Sequence, residues 1–181
     1  VVAGAVVLPA DRALCTTLRA AGLRDSKQLT PKQREMLVPC IEAVALSVAV
    51  GEASPVEIDE QGIVPACRLA MRRALETLVC DAQALLLDAF PLPDEERPQR
   101  AIVRGDNLSL SIAAASVVAK VYRDQMMVAY EHDFPGYDFA SNKGYAAPAH
   151  RAALRTLGPT PIHRLSWRPL RELASEQLPL D

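Results

Sequence analysis

No apolar run in this chain approaches the roughly 20 residues needed to span a bilayer. No cationic stretch followed by an apolar core opens it as a secretory signal would, so a cytoplasmic protein with no membrane partner is expected. Internal repeats and low-complexity tracts are also missing, which argues against solenoid and disordered classes. The four cysteines, Cys15, Cys40, Cys67 and Cys80, are far apart and include no Cys-x-x-Cys pair. Neither a zinc site nor a disulfide framework is indicated, and they are read as core thiols in a reducing compartment. The most informative absence is of acid. Between Phe139 and Arg171 there is no Asp or Glu, while Lys143, Arg151, Arg155, Arg164, Arg168 and Arg171 all fall there, beside His150 and His163. A net charge of −2 for the whole chain therefore leaves −8 on the remainder. A basic face on an acidic body is the footprint of a polyanionic partner, and an accidental charge bias on a solvated surface is the plainer alternative.

What is present is enough for one folded domain: 181 residues, half of them hydrophobic. Val1–Leu8 reads as a short buried strand, followed by a charged, Gly-containing loop through Asp25-Ser26-Lys27. Thr30 caps a helix with Pro31 in its first turn, running to about Ala43. Leu46–Val50 reads as a second strand. Ser54-Pro55 opens a helical region with an apolar stripe from Ile58 to Leu78. Ala84–Asp88 and Ala101–Val103 read as further strands, the second ending toward Asp106, with a Pro- and acid-rich loop between them. A long helix from about Ser109 to His132 follows, its Ile112–Ala119 segment almost all Ala, Ser, Val and Ile. Helices near Pro148–Leu157 and Pro169–Glu176 complete the chain. Strands alternating with helical patterns predict an α/β layered domain. Its core is expected over residues 1–138, with a basic helical extension of the same domain over residues 139–181.

Three constellations carry chemistry. Asp88 and Asp106 close two consecutive apolar runs, with Lys120 and Arg123 downstream. They fit either a pair of simple caps or a site for Mg²⁺ or Mn²⁺, hard cations that want oxygen ligands. Asp25-Ser26-Lys27 is a turn whose hydroxyl and ammonium suit a phosphate or a capped helix approach. Lys143-Gly144-Tyr145 joins a phosphate-seeking cation, a flexible backbone and a flat ring able to stack on a sugar or base and test for a 2′-hydroxyl. His150, and His163-Arg164 with Trp167 nearby, suit either phosphate contact or packing.

Taken together these pieces resemble the bacterial ribonuclease HII family. The match runs through VVAGAVVL, DSKQL, IDEQGIVPACRLAMRRAL, LLLDA, VRGDNLSLSIAAASVVAKVYRD, FPGYDFASNKGYAAPAH and LGPTPIHRLSW, in that order over essentially the whole chain. The resemblance implies an RNase H-like mixed sheet with flanking helices and a helical C-terminal extension. It implies Mg²⁺- or Mn²⁺-dependent cleavage of the RNA strand of RNA–DNA hybrids, and cutting 5′ of ribonucleotides embedded in duplex DNA, by a monomer. It makes Asp88 and Asp106 the third and fourth of four catalytic carboxylates, Lys27 a phosphate contact and Tyr145 the reader of the RNA–DNA junction. Ala89 stands where the family usually has Gly, a change expected to matter little.

One departure is larger. The family's D-E-x-G-R-G motif, which supplies the first two carboxylates on the first central strand, would lie just before VVAGAVVL, and this sequence opens at Val1. The expectation is an N-terminally truncated sequence with that first central strand missing, poorly stable and nearly inactive alone. Two functions from different classes follow: a two-metal nuclease, or a non-catalytic duplex-binding module that keeps the cations but not the full ligand set.

Overall fold

A computed structural model describes residues 1–176; residues 177–181 of the expected extension lie outside the described residues. The chain divides into two compact units. One, the strand unit, comprises Val2–Glu52 and Cys67–Tyr122. The other, the helical unit, comprises Val1, Ala53–Ala66 and the chain from Arg123 onward.

In the strand unit, β1 (Val2–Val7) pairs antiparallel with β2 (Ser47–Glu52), Gly4 opposite Val50 and Ala5 opposite Ala49. Between them lie α1 (Arg12–Ala20), a single 3-10 turn at Ser26–Gln28, and α2 (Pro31–Val44). Helix α1 replaces the loop expected there: Asp11 caps it, its carboxylate accepting from the Ala13 and Leu14 amides. Helix α2 opens as the sequence predicts, with Pro31 in the first turn and a reciprocal capping box between Thr30 and Gln33.

The apolar stripe expected as one helical region is two helices, α3 (Pro55–Gln61) and α4 (Ile63–Glu76). Gly62, at φ 87°, takes the left-handed turn that ends α3. Beyond it, β3 (Leu85–Asp88) and β4 (Gln99–Ile102) pair in parallel, Asp88 opposite Ile102. Ala89 to Pro98 joins them without a helix, anchored by the fully buried Leu92, whose backbone is bracketed by the Gln99 side chain.

The short helix α5 (Gly105–Leu108) leads into α6 (Leu110–Asp133), which has the extent the small-residue pattern predicts. Alternation along β1 and β2 places Gly4, Val6, Val48 and Val50 on one face and Ala3, Ala5, Ala49 and Gly51 on the other. The first face packs on α6, where Ala113, Ala114, Val117 and Val118 join Leu18, Leu37 and Ile41 in the main core. The second packs on α4 through Ala74. Leu85 and Leu87 of β3 meet α4 as well, at Met71 and Leu75. The strand unit is thus layered, with strands between helices.

The helical unit contains α3, α7 (Phe139–Asn142), α8 (Pro148–Leu157), α9 (Arg168–Glu176) and the end of α6. Its core is Met127, Tyr137, Phe139, Leu154 and Leu170. Among the described residues no helix is long and apolar enough to cross a membrane. The cysteines are not core thiols: Cys40 is exposed and the other three are half-buried, because the interior they were assigned to is filled by Ala, Leu and Val.

Two glycines set the layer spacing. A Cβ added at Gly4 would lie 2.3 Å from the Ala115 carbonyl oxygen of α6, and one at Gly51 would lie 2.2 Å from the Ala70 oxygen of α4. Both partners are backbone and cannot swing aside, so Gly4→Val should cost about 3 kcal/mol or prevent folding. Urea unfolding of Gly4→Val and Gly51→Val reads this directly; a variant as stable as the wild type would show that the helices are free to retreat.

Candidate active site

Asp88 is the last residue of β3, whose alternation buries Leu85 and Leu87 and exposes Leu86. Asp106 does not end a strand as expected. β4 stops at Ile102, Arg104 turns the backbone through the left-handed region at φ 56°, and Asp106 enters in the first turn of α5. The turn nevertheless brings the two acids together, because the Gly105 amide donates to Asp88 Oδ1 at 2.9 Å. The space beside Gly105 is taken by side chains, so that a Cβ there would meet the Ile112 Cδ1 at 2.5 Å and Asp88 Oδ1 at 3.4 Å and Ile112 would have to shift.

Asp106 is 4% exposed and fully engaged. Lys27 Nζ donates to its Oδ2 at 3.0 Å, and Asn107 Nδ2 donates to its Oδ1 at 3.3 Å. Asn107 also reaches Asp25 Oδ2 at 3.0 Å, while Asp25 Oδ1 accepts the Lys27 amide. Asp25, buried in its turn, is pushed up by burial. The Lys27 amide, Asn107 and the Lys27 charge outweigh that and hold its carboxyl below the ordinary range. The Lys27 ammonium is held above its ordinary value, chiefly by its bond to Asp106, with the charges of Asp106, Asp25 and Asp88 adding to it.

The turn that presents Lys27 is itself clamped. Ser26 is buried and shares a 2.8 Å hydrogen bond with Ser116 of α6. The buried Arg34 donates to the carbonyls of Ser26 and Leu29. Asp25 belonged to the turn singled out in the sequence but was given no role of its own there, and Arg34 and Asn107 were not among the candidate residues. A buried Arg on the apolar face of α2 and the Asn directly after Gly105-Asp106 are the signals that would have found the latter two. Lys120 is half-buried on α6.

The other candidates belong to the helical unit. Lys143 and Gly144 adopt consecutive left-handed conformations, φ 53° and 75°, after α7. Asn142 fixes this turn, its Nδ2 donating to the Tyr137 carbonyl and its Oδ1 accepting the Gly144 amide at 2.7 Å. The Lys143 ammonium is tied back to the Ala140 carbonyl. Tyr145 follows, 62% exposed. Arg123 also stands in this unit, bonded to the Lys143 carbonyl at 2.7 Å.

Arg164 is half-buried and lies near Asp59 of α3, whose carboxylate caps the Leu165 and Ser166 amides at 2.6 and 3.0 Å. Asp59 was not among the candidates either. His150 and His163 are buried and stack at 5.3 Å, within an aromatic cluster of Tyr137, Phe139 and Trp167. His163 Nδ1 accepts from both the amide and the hydroxyl of Thr160, so the neutral ring carries its proton on Nε2, which has no hydrogen-bond partner among the described residues. Burial, and then the neighbouring His150, push its pKa down to about 4.

Chemically, the strand unit offers two carboxylates on a rigid strand end and helix start, braced by an amide and an asparagine and faced by one ammonium. Hard oxygen donors of this kind suit Mg²⁺ or Mn²⁺. The helical unit offers an exposed phenol on a stiff turn within a cationic segment.

The profile of the family described as Ribonuclease HII matches residues 1–169. The chain is 48% identical over 178 residues to a protein named Ribonuclease HII from Synechococcus sp. (strain JA-3-3Ab), covering 98% of this chain and 79% of that protein. Among solved structures it is similar to the ribonuclease H2 from Pyrococcus horikoshii OT3, with a TM-score of 0.76, 26% identity, and coverage of 97% of this chain and 90% of that one. It shares its fold with Bst-RNase HIII, solved in complex with Mn²⁺, at a TM-score of 0.63 and 17% identity, covering 92% and 62% of the two chains.

Two stability outcomes follow from this geometry. Ala89, directly after Asp88, sits at φ 69°, a conformation that favours glycine, so the replacement is not neutral as the sequence suggests. Ala89→Gly should raise stability by about 1 kcal/mol, read as a higher unfolding midpoint. His163 is neutral when folded and titrates near 6.5 when unfolded, so the unfolded chain binds the extra proton between pH 6.5 and about 4. Stability from this group is complete above pH 6.5 and falls, by up to about 3 kcal/mol, as pH drops to 4. Melts followed by Trp167 fluorescence should show a shallower pH slope in His163→Gln; an unchanged slope would exclude His163 as its source.

Proposed function

This chain belongs to the ribonuclease HII family, and on that basis we propose that it cuts the RNA strand of RNA–DNA hybrids and cuts 5′ of ribonucleotides embedded in duplex DNA. The observation that supports the reading is the bond from the Gly105 amide to Asp88 Oδ1, which ties Asp88, at the end of a parallel strand pair, to the turn that carries Asp106. Asp88 and Asp106 are the residues that would hold Mg²⁺ or Mn²⁺. No group of three or more His, Cys, Asp or Glu able to hold a metal occurs among the described residues. Two carboxylates completed by water and substrate phosphate oxygens are an ordinary environment for Mg²⁺. Held there, such ions would supply an activated water and neutralise charge on the leaving oxygen.

The chain's own residues do the rest. Asp25 and Asn107 hold Asp106 in one orientation, so the ligand is set before substrate arrives. Lys27, with a 78% exposed side chain, is placed to meet a phosphate beside that carboxylate, with Ser26 holding its turn. Lys143, Gly144, Tyr145 and Arg164 form the duplex-facing set in the acid-free segment. There the cations meet backbone phosphates, and the Tyr145 ring lies against the sugar whose 2′-hydroxyl marks a ribonucleotide. Positioned this way, the protein works on duplex nucleic acid as a monomer in the cytoplasm.

Asp106→Asn and Asp88→Asn should each lower cleavage of a labelled RNA–DNA hybrid by well over the roughly 10–100-fold cost of losing a group that only supports a metal ligand. Hybrid affinity measured in EDTA should stay near that of the wild type. Cleavage that survives either change would remove that residue from the ligand set. A wild-type protein that binds hybrids without cutting them under Mg²⁺ or Mn²⁺ would instead make it a duplex-binding module.

A further inference from the structure

A ring that discriminates between two sugars must present one face, and burial does not hold Tyr145, whose surface is 62% exposed. The turn before it and one side chain beneath it both bear on its orientation. Lys143 and Gly144 both lie in the left-handed region, Asn142 clamps the Gly144 amide, and the Tyr145 amide returns to the Asn142 carbonyl at 2.9 Å. Arg123, from α6, then makes two contacts with a single planar group. Its Nη1 donates to the Lys143 carbonyl at 2.7 Å, and its guanidinium carbon lies 5.8 Å from the centre of the Tyr145 ring. The space above Gly144 is closed by the same group: a Cβ there would come within 3.4 Å of Arg123 Nη2 and 3.1 Å of Met127 Cε.

We infer that Arg123 is a positioning residue for Tyr145 and, through it, sets the preference for a ribonucleotide over a deoxyribonucleotide. This rests on the reading that Tyr145 meets the sugar. The sequence suggests Arg123 as a cation for the metal or phosphate centre, but the geometry assigns it to the turn in its own unit. A lysine in its place keeps the charge but only part of the function, because an ammonium has no plane with which to bond a carbonyl and face a ring together. The mechanism is orientational: the guanidinium ties the ring to the carbonyl two residues earlier, so ring and backbone turn as one body.

The test uses the whole chain and two duplexes identical except for one ribonucleotide, with affinities measured by fluorescence anisotropy in EDTA. In Arg123→Met the preference for the ribonucleotide duplex should fall about threefold or more, while affinity for the all-DNA duplex changes less than about twofold. Arg123→Lys should recover only part of the preference. The Tyr145 ring resonances, assigned with Tyr145→Phe, should move in both Arg123 variants. Equal loss of affinity for both duplexes, with the preference intact, would make Arg123 a phosphate contact and overturn the inference. Ring resonances that stay in place would overturn it as well. If Tyr145→Ala keeps the full preference, the reading of Tyr145 fails instead, and the ring resonances of Arg123→Met still decide whether Arg123 places the ring.

Discussion

The structure of the strand unit depends on backbone meeting backbone. At Gly4 the first strand touches the carbonyl of Ala115, and at Gly51 the second touches the carbonyl of Ala70, with no side chain between. Close approach of this kind fixes a helix in depth as well as direction, since the usual cushion of rotatable atoms is gone. Helix α6 is the element so fixed, and the site hangs from it. Ser116, one residue after the Gly4 contact, bonds Ser26 and thereby places the turn that carries Asp25 and Lys27. Ile112, one turn earlier, fills the space over Gly105 and holds the α5 turn against Asp88. The carboxylate geometry is thus inherited from packing within the core.

The electrostatics of the site follow from that geometry. Three carboxylates, Asp25, Asp88 and Asp106, lie around a single ammonium, with amide and asparagine donors taking up part of the negative charge. The protein leaves part of this negative charge unneutralised, and its hydrogen bonds already orient the Asp88 and Asp106 oxygens, so little reorganisation would be needed if a cation met those two carboxylates. The basic segment has the opposite character, with Arg151, Arg155, Arg168 and Arg171 exposed while buried residues such as His150, His163 and Tyr137 supply its core.

How much of this was legible depended on whether the determining contacts were local. Thr30, Pro31 and Gln33 announce α2 because a capping box is written in four consecutive residues. The run from Ile112 to Ala119 announces a tightly packed helix, and α6 is one. Helix α1 was hard to read because its apolar face is short, Leu14 and Leu18 one turn apart with Leu18 its buried residue; the Asp11 cap was a second signal. The short α5 escaped because Arg104, rather than Gly or Asn, takes the left-handed position that ends β4. Asp106 was legible as a candidate, but its bracing was not. The Asn107–Asp25 bond joins positions 82 apart, and Lys27 reaches Asp106 across 79 residues. Nothing in a local pattern reports such pairs, and the cysteines were misplaced for the same reason.

Asp59 joins α3 to the Leu165-Ser166 backbone across a sequence separation of 106 and 107 residues, within a unit assembled from one early and one late segment. As the chain leaves the ribosome, α3 is made before the strand unit is complete, yet its partner emerges only after α8. The carboxylate therefore stays solvated, without its amides, for most of synthesis. By contrast, every pairing within the β1–β2 and β3–β4 ladders is available far earlier. The order of synthesis thus separates the two halves of the protein in time, with the acidic centre able to form while the surface that would face the duplex is still waiting for its last strap.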